Sequence, residues 1–196
     1  MKKLLITGFD PFGGESVNPS WEAVSRLPHS IGGFEIIKLQ IPTVFLRAAD
    51  AVIELAEKIK PDAVICVGQA GGRAAVTPEV VAINLCEAEI ADNEGNKFCG
   101  IPAIEGAPAA YFATLPVRDM VAAMKEQGIP AALSYSAGAF VCNDTLYRSL
   151  HQFHNSGVKV GFIHVPYLPE QAKEGVPSMP LEKIVNALEI AIGAIK

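Results

Sequence analysis

The chain predicts an α/β protein: a single-domain, three-layer α/β/α sandwich with a twisted, largely parallel sheet. Three observations predict it. Short apolar, β-branched runs alternate with segments of helical periodicity, the pattern of strands joined by helical crossovers. At 196 residues the chain has the length of one domain with a substantial core. Half of its residues are apolar, and its 17 glycines and 14 prolines follow no period, which excludes collagen-like and low-complexity chains.

The elements follow in order. Lys3 to Thr7 reads as a buried strand ending in Gly8. Asn18-Pro19 is an N-cap followed by proline at the first helical position, opening a short helix through Trp21 and Val24. Phe34 to Ile41 alternates as a strand. Thr43 then caps a longer helix whose stripe runs Val44, Ala48, Ala51, Val52, Leu55, Ala56 and Ile59, closed by Pro61. Ala63 to Val67 is a central-strand candidate, broken by Gln69-Ala70-Gly71-Gly72. Val80 to Leu85 reads as another strand, followed by a polar turn over Asp92 to Gly95. Pro116 opens a helix that Gly128 ends. Ala131 to Leu133 is a short strand, Cys142 to Phe153 a helix, Val158 to Val165 a strand, and Leu181 to Ile195 a closing amphipathic helix.

Composition removes several function classes. With 16 Lys plus Arg against 21 Asp plus Glu, and no basic cluster, the chain is a poor nucleic-acid binder, because phosphate affinity comes from basic side chains. No apolar run approaches the roughly 18 residues of a membrane-spanning helix. Lys2-Lys3-Leu4-Leu5-Ile6 begins like a signal peptide, but Asp10-Pro11 ends the run early and no small-residue cleavage site follows. Four cysteines without a C-x-x-C read as free thiols in a reducing compartment. The four histidines form no zinc pattern; His151 and His154, at i and i+3, read as a polar helix face. A soluble cytoplasmic protein without zinc is expected.

Three motifs nearly fit. Gly8 to Gly13 has the glycine spacing of a phosphate-binding loop, but Gly14-Glu15 follows where lysine and serine or threonine belong. The same segment fails the dinucleotide fingerprint, since Phe9 to Phe12 separate its first two glycines. Ser134-Tyr135-Ser136-Ala137-Gly138 lacks the first glycine of a serine elbow.

A different constellation fits better. Ligands of α/β sheets sit beyond the carboxyl ends of the strands. Cys142 stands where a loop enters a helix, whose positive end favours a thiolate. His164 ends the strand Val160-Gly161-Phe162-Ile163, and Glu79 lies in a loop before another strand. A thiol, an imidazole to take its proton and a carboxylate to orient the imidazole are the parts of a cysteine hydrolase. Residue types alone leave plainer readings open: a core cysteine, a hydrogen-bonded histidine, a solvated glutamate. Cys66 reads as core, and Cys86 and Cys99 have no neighbouring base in sequence.

At these residues the chain resembles the type I pyroglutamyl peptidases, or pyrrolidone-carboxylate peptidases, a cysteine peptidase family. The resemblance runs in order from Leu5 to about Met179. Its segments are Thr7 to Gly14 with Asn18-Pro19, Val67 to Arg73, Thr77-Pro78-Glu79, Val81 to Asn84, and Asp92 to Gly95. Ser136-Ala137-Gly138 with Val141-Cys142-Asn143 follows, then Phe162 to Tyr167. It implies removal of N-terminal pyroglutamate from peptides, with Cys142 as nucleophile, His164 as general base and acid, and Glu79 orienting the histidine. The oxyanion donors expected are backbone N–H groups at the start of the Cys142 helix, with Gly13-Gly14 or Arg73 as further candidates. The resemblance implies no metal or organic cofactor, and a homotetramer.

Pyroglutamate has no ammonium, only a lactam with one donor and one acceptor, so its pocket should be apolar with a few neutral polar groups. Phe9 and Phe12 resemble the family's pocket aromatics, and Gln69 carries both a donor and an acceptor. Thr43, Phe140 and the Val141 backbone are further pocket candidates; for the phenylalanines, core packing is the alternative. Two positions depart from the family pattern. Its members usually carry arginine directly after the matching glutamate, here Val80, and arginine where this chain has Glu89. If these lie at the site, the thiolate is disfavoured, and the alternative is a weakened relative that binds blocked peptides or lactams.

Overall fold

The computed structural model describes residues 1–196. Its elements are β1 (Lys2–Phe9), α1 (Pro19–Arg26), β2 (Ser30–Ile31), β3 (Phe34–Ile41), α2 (Arg47–Ile59), β4 (Ala63–Gln69) and β5 (Thr77–Pro78). Then come β6 (Val81–Ile83), β7 (Ala110–Phe112), α3 (Val117–Glu126), α4 (Val141–Gln152), β8 (Lys159–Val165) and α5 (Leu181–Gly193).

A six-stranded sheet runs in the order β2-β3-β1-β4-β8-β5. The four inner strands are parallel, and β2 and β5 join the edges antiparallel. Strand residues alternate between faces, so an unbroken apolar run serves two layers at once. Leu5, Phe9, Val64, Cys66 and Phe162 meet α2 and α4 on one face. Leu4, Ile6, Ile65, Val67 and Ile163 meet the side chains of α1, α3 and α5 on the other. This is the three-layer, largely parallel sandwich that the alternation predicts. No helix is long and apolar enough to cross a membrane.

The topology places a crevice. After β1 the chain turns outward to β3, then α2 carries it back across β1 to β4. Where strand order reverses, connections leave β1 and β4 in opposite directions and a gap opens beyond their carboxyl ends.

One cap is borne out and three sequence expectations are corrected. Asn18 caps α1 as expected, its Oδ1 accepting from Ser20 N at 3.1 Å. Thr43, however, does not cap α2. Its hydroxyl donates to Asp10 Oδ1 at 2.7 Å, and Leu46, at φ 66°, bends the backbone before the helix starts at Arg47. Val80 to Leu85 is not a strand of the main sheet. After Glu79 the chain leaves β5, and Val81–Ile83 pairs only with β7 in a separate antiparallel ribbon. Ala131 to Leu133 forms a single bridge, Val76 with Ala131, rather than a strand.

Candidate active site

The sheet register brings the reactive groups together. Gly68 of β4 is the partner of His164 on β8, so the two positions share a face about 4.8 Å apart. A Cβ added at Gly68 would lie 3.0 Å from Cys142 Sγ and 2.7 Å from the Phe162 ring. Glycine is required there because the thiol, arriving from the first turn of α4, occupies the space of a side chain. On the other side of β8, the antiparallel β5 pairs Thr77 with His164 and delivers Glu79 immediately afterwards. His164 Nδ1 stands 2.7 Å from Glu79 Oε1, with both side chains buried. An ionised Glu79 accepts this bond, which puts the proton on Nδ1 and leaves Nε2 with a free lone pair.

The start of α4 is clamped by its own sequence. Asn143 Oδ1 accepts from Ile83 N at 3.0 Å, and its Nδ2 donates to the Ile83 and Leu85 carbonyls. Asp144 accepts from Leu46 N at 2.9 Å and from Arg148 Nε at 2.6 Å. The residues directly after Cys142 therefore fasten the β6 segment and the loop before α2 to the helix that carries the thiol. No side chain caps this helix, so its first N–H groups remain unpaired, and the first N–H to pair, that of Asp144, goes to Phe140 O.

Electrostatics set the resting protonation. Burial pushes the Cys142 thiol up to about 12; the Glu79 and Cys66 charges add to this, and Arg73 opposes it. The helix end expected to favour a thiolate is outweighed by this desolvation. Burial also pushes His164 below its ordinary value, against the pull of Glu79. Glu79 is raised by burial, yet its bond to His164, the neighbouring Ser134 hydroxyl and Arg73 together hold it below the usual carboxylate range. The resting trio is thus a neutral thiol, a neutral imidazole and a carboxylate.

Beside the thiol lies a cavity of about 190 Å³ lined by Phe9, Phe12, Asn18, Thr43, Gln69, Gly71, Phe140, Cys142 and Tyr167. It is smaller than the roughly 300–1,000 Å³ of drug-sized pockets, and none of its lining side chains is charged. Phe12 packs on Phe140, and Phe140 stands edge-on to Phe45, with centroids 5.3 and 5.2 Å apart. Gln69 Oε1 accepts from Gln171 Nε2 at 3.2 Å, which leaves its own NH₂ for the cavity. Asp10 Oδ1 receives the Thr43 N–H and hydroxyl, both at 2.7 Å, and Asn93 Nδ2 reaches the same oxygen.

Of the positions singled out in the sequence, Cys142, His164 and Glu79 converge, and Phe9, Phe12, Thr43, Gln69 and Phe140 share the cavity wall. Val141 does not line it: its side chain is in the core, leaving only its backbone at the site. Arg73 does not line it either, and is bound to Glu79 instead. Sequence reasoning missed Asn18 and Tyr167 as wall residues, although both fall inside quoted segments. It also missed Gly71, where a Cβ would lie 2.4 Å from the Tyr167 ring. Val80 lies beside Phe112 and Leu115 in another groove, and Glu89 is exposed and does not line the cavity. The carboxylate acting on the thiol is Glu79, not Glu89.

A thiol at a helix start, beside an imidazole held by a buried carboxylate on an α/β sheet, is the arrangement of the cysteine hydrolases. A family model described as pyroglutamyl peptidase matches residues 2–196, and the chain belongs to that family. It is 52% identical over 194 residues to a pyrrolidone-carboxylate peptidase of Bacillus amyloliquefaciens, covering 97% of this chain and 90% of the relative. The Bacillus cereus (strain AH820) protein of the same name is 49% identical over 197 residues, covering 98% and 92%. The crystal structure of Bacillus amyloliquefaciens pyroglutamyl peptidase I superposes with a TM-score of 0.96 at 50% identity, covering 100% of this chain and 97% of that one. A variant of pyrrolidone carboxyl peptidase from the hyperthermophile Pyrococcus furiosus gives 0.94 at 42% identity, with 98% and 97% covered.

Proposed function

We propose that the whole chain is one catalytic domain that hydrolyses the amide bond after an N-terminal pyroglutamyl residue, through a thioacyl intermediate on Cys142. The observation that carries this reading is the Glu79–His164 pair, with His164 opposite Gly68, against whose backbone the Cys142 thiol sits in the wall of a small neutral cavity. His164 Nε2 takes the thiol proton as sulfur attacks the pyroglutamyl carbonyl. The C–N bond then breaks, and the imidazolium returns its proton to the departing amine. Water attacks the thioester, giving a proton to His164. The C–S bond breaks, free pyroglutamate leaves, and the thiol recovers its proton. Glu79 fixes the tautomer and stabilises each imidazolium. The unpaired N–H groups at the start of α4, with the Val141 backbone among them, are the donors for the oxyanion.

The lactam ring is held between Phe9, Phe12 and Phe140, with the Gln69 NH₂ donating to its carbonyl. A prolyl residue lacks that oxygen and leaves the donor unpaired. A free glutamyl residue would bury an ammonium with no counter-charge. Rates on pyroglutamyl, prolyl and glutamyl amides of one fluorophore test the reading. A preference for pyroglutamyl of about 100-fold or more is expected; equal rates overturn it.

The wider setting belongs to the same proposal: a cytoplasmic homotetramer acting on N-terminally blocked peptides. Four free cysteines suit a reducing compartment, and the exposed Phe112 and Ile83 on the β6–β7 ribbon suit burial by another subunit. Light scattering should give four times the 20.8 kDa chain; a single chain mass overturns the tetramer.

A further inference from the structure

Arg73 is fastened to the same carboxylate oxygen that His164 uses. Its Nη1 donates to Glu79 Oε1 at 3.0 Å and to Thr77 Oγ1 at 2.5 Å, and Nη2 donates to Ser136 O at 3.1 Å. One guanidinium thereby joins the loop after β4, strand β5 and the loop before α4. Glu79 is fully buried and its Oε2 has no hydrogen-bond partner, whereas Arg73 keeps 31% of its side chain in solvent. Both N–H groups of Nη1 and one of Nη2 are thus spent on these acceptors.

We propose that Arg73 is a positioning residue that keeps Glu79 ionised and His164 neutral, so that the imidazole is free to accept the thiol proton. The proposal rests on the reading of Cys142, His164 and Glu79 given above. A fully buried carboxylate with one unpaired oxygen needs a counter-charge. Arg73 supplies a permanent one, because a guanidinium does not deprotonate. Without it, the only remaining partner that can carry a positive charge is His164, and Glu79 stabilises an imidazolium there instead. An imidazolium has no lone pair for the Cys142 proton.

The titratable and charged groups around His164 are Glu79 after β5, Arg73 after β4 and Cys142 on α4; the Phe162 ring closes the inner side at 4.7 Å. Burial and Arg73 lower the histidine, and Glu79 raises it. Removing Arg73 therefore makes His164 more basic, and the acid limb of activity moves to higher pH.

The test measures kcat/KM against pH, together with direct NMR titration of the His164 ring, for wild type, Arg73→Gln and Arg73→Lys. In Arg73→Gln the acid limb and the His164 titration both rise by about one pH unit or more, with KM for a pyroglutamyl amide changed less than about twofold. Arg73→Lys, which keeps the charge, returns the limb most of the way. Arg73→Met, which keeps the packed stem, serves the same comparison if the glutamine variant does not fold. A fall in kcat or in Tm with both titrations unmoved means a merely structural or substrate-contacting arginine and overturns the proposal. Cys142→Ala, assayed alongside, separates the two readings: activity retained there overturns the triad itself, and an inactive Cys142→Ala with an unmoved Arg73→Gln limb overturns only the role of Arg73.

Discussion

The wall of the cavity at Cys142 is backed by a titratable network of His164, Glu79 and Arg73, whereas the wall that carries Phe9, Phe12 and Thr43 is neutral and held by carboxylates set behind it. On the first wall a buried carboxylate divides one oxygen between an imidazole and a guanidinium and leaves the other unpaired. On the second, the carboxylates are met largely by neutral donors. Asp10 receives the backbone N–H and hydroxyl of Thr43 and the amide of Asn93. Asp92 receives the backbone N–H groups of Phe45, Glu94 and Asn96. The polar turn at Asp92 to Gly95 thus anchors the loops of the recognition wall. A carboxylate bound mainly to backbone N–H groups fixes shape and is indifferent to pH above its own titration. A carboxylate shared between titratable partners fixes protonation. The reactive wall should therefore govern kcat and pH dependence, and the recognition wall KM and selectivity.

The largest expected effect on this division is Glu79→Gln. The amide keeps the volume but neither stabilises the imidazolium nor enforces the tautomer, and kcat should fall about 10³- to 10⁴-fold with KM little changed. Steady-state kinetics on a pyroglutamyl amide measures both. A smaller but still severe effect is expected from Gly68→Ala, whose methyl meets the Phe162 ring and the Cys142 sulfur. Overpacking of about 1–3 kcal/mol should lower Tm by several degrees, and displacement of the thiol should lower kcat about 10- to 100-fold. Phe12→Ala, on the other wall, should raise KM about tenfold and leave the acid limb of kcat/KM in place. If Phe12→Ala moves the limb, the two walls are not separate.

The smallest expected effect is on stability. Glu79 and His164 both titrate lower in the folded chain than at their ordinary values of 4.5 and 6.5. As pH falls, the unfolded chain takes up these protons first. Stability fully present above about 6.5 is therefore lost on acidification, first through His164 and then through Glu79. Thermal melts from pH 7 to pH 4 should show Tm falling. A Tm that rises over that range contradicts the burial of a neutral histidine beside a carboxylate.

Legibility in the sequence followed the range of the forces involved. The strands of the parallel sheet and the helices packed on it announce themselves locally, because burial on both faces demands continuous apolar runs and burial on one demands a helical stripe. Strands β2, β5 and β7 have two or three residues each, too few for any period to register, and the partners of β5 and β7 are distant in sequence. Val80 to Leu85 carries the apolar residues of a strand, but composition does not say which sheet it joins. Cys142, His164 and Glu79 stood at strand and helix ends, where α/β chemistry gathers, and so were legible as candidates from type and place. Their convergence depends on register, through Gly68 opposite His164, which no local pattern encodes. Arg73 was visible as a charge, but its pairing with Glu79 is decided by geometry alone. Thr43 looked like a helix cap because threonine commonly is one; Asp10, 33 positions away, takes its hydroxyl instead.

The most direct test of the central claim is release of a fluorophore from a pyroglutamyl amide under reducing conditions, by wild type and by Cys142→Ser of matched Tm. Turnover by the wild type that falls to background in Cys142→Ser is the predicted result. Turnover that persists in Cys142→Ser, or is absent from a folded wild type, would contradict it.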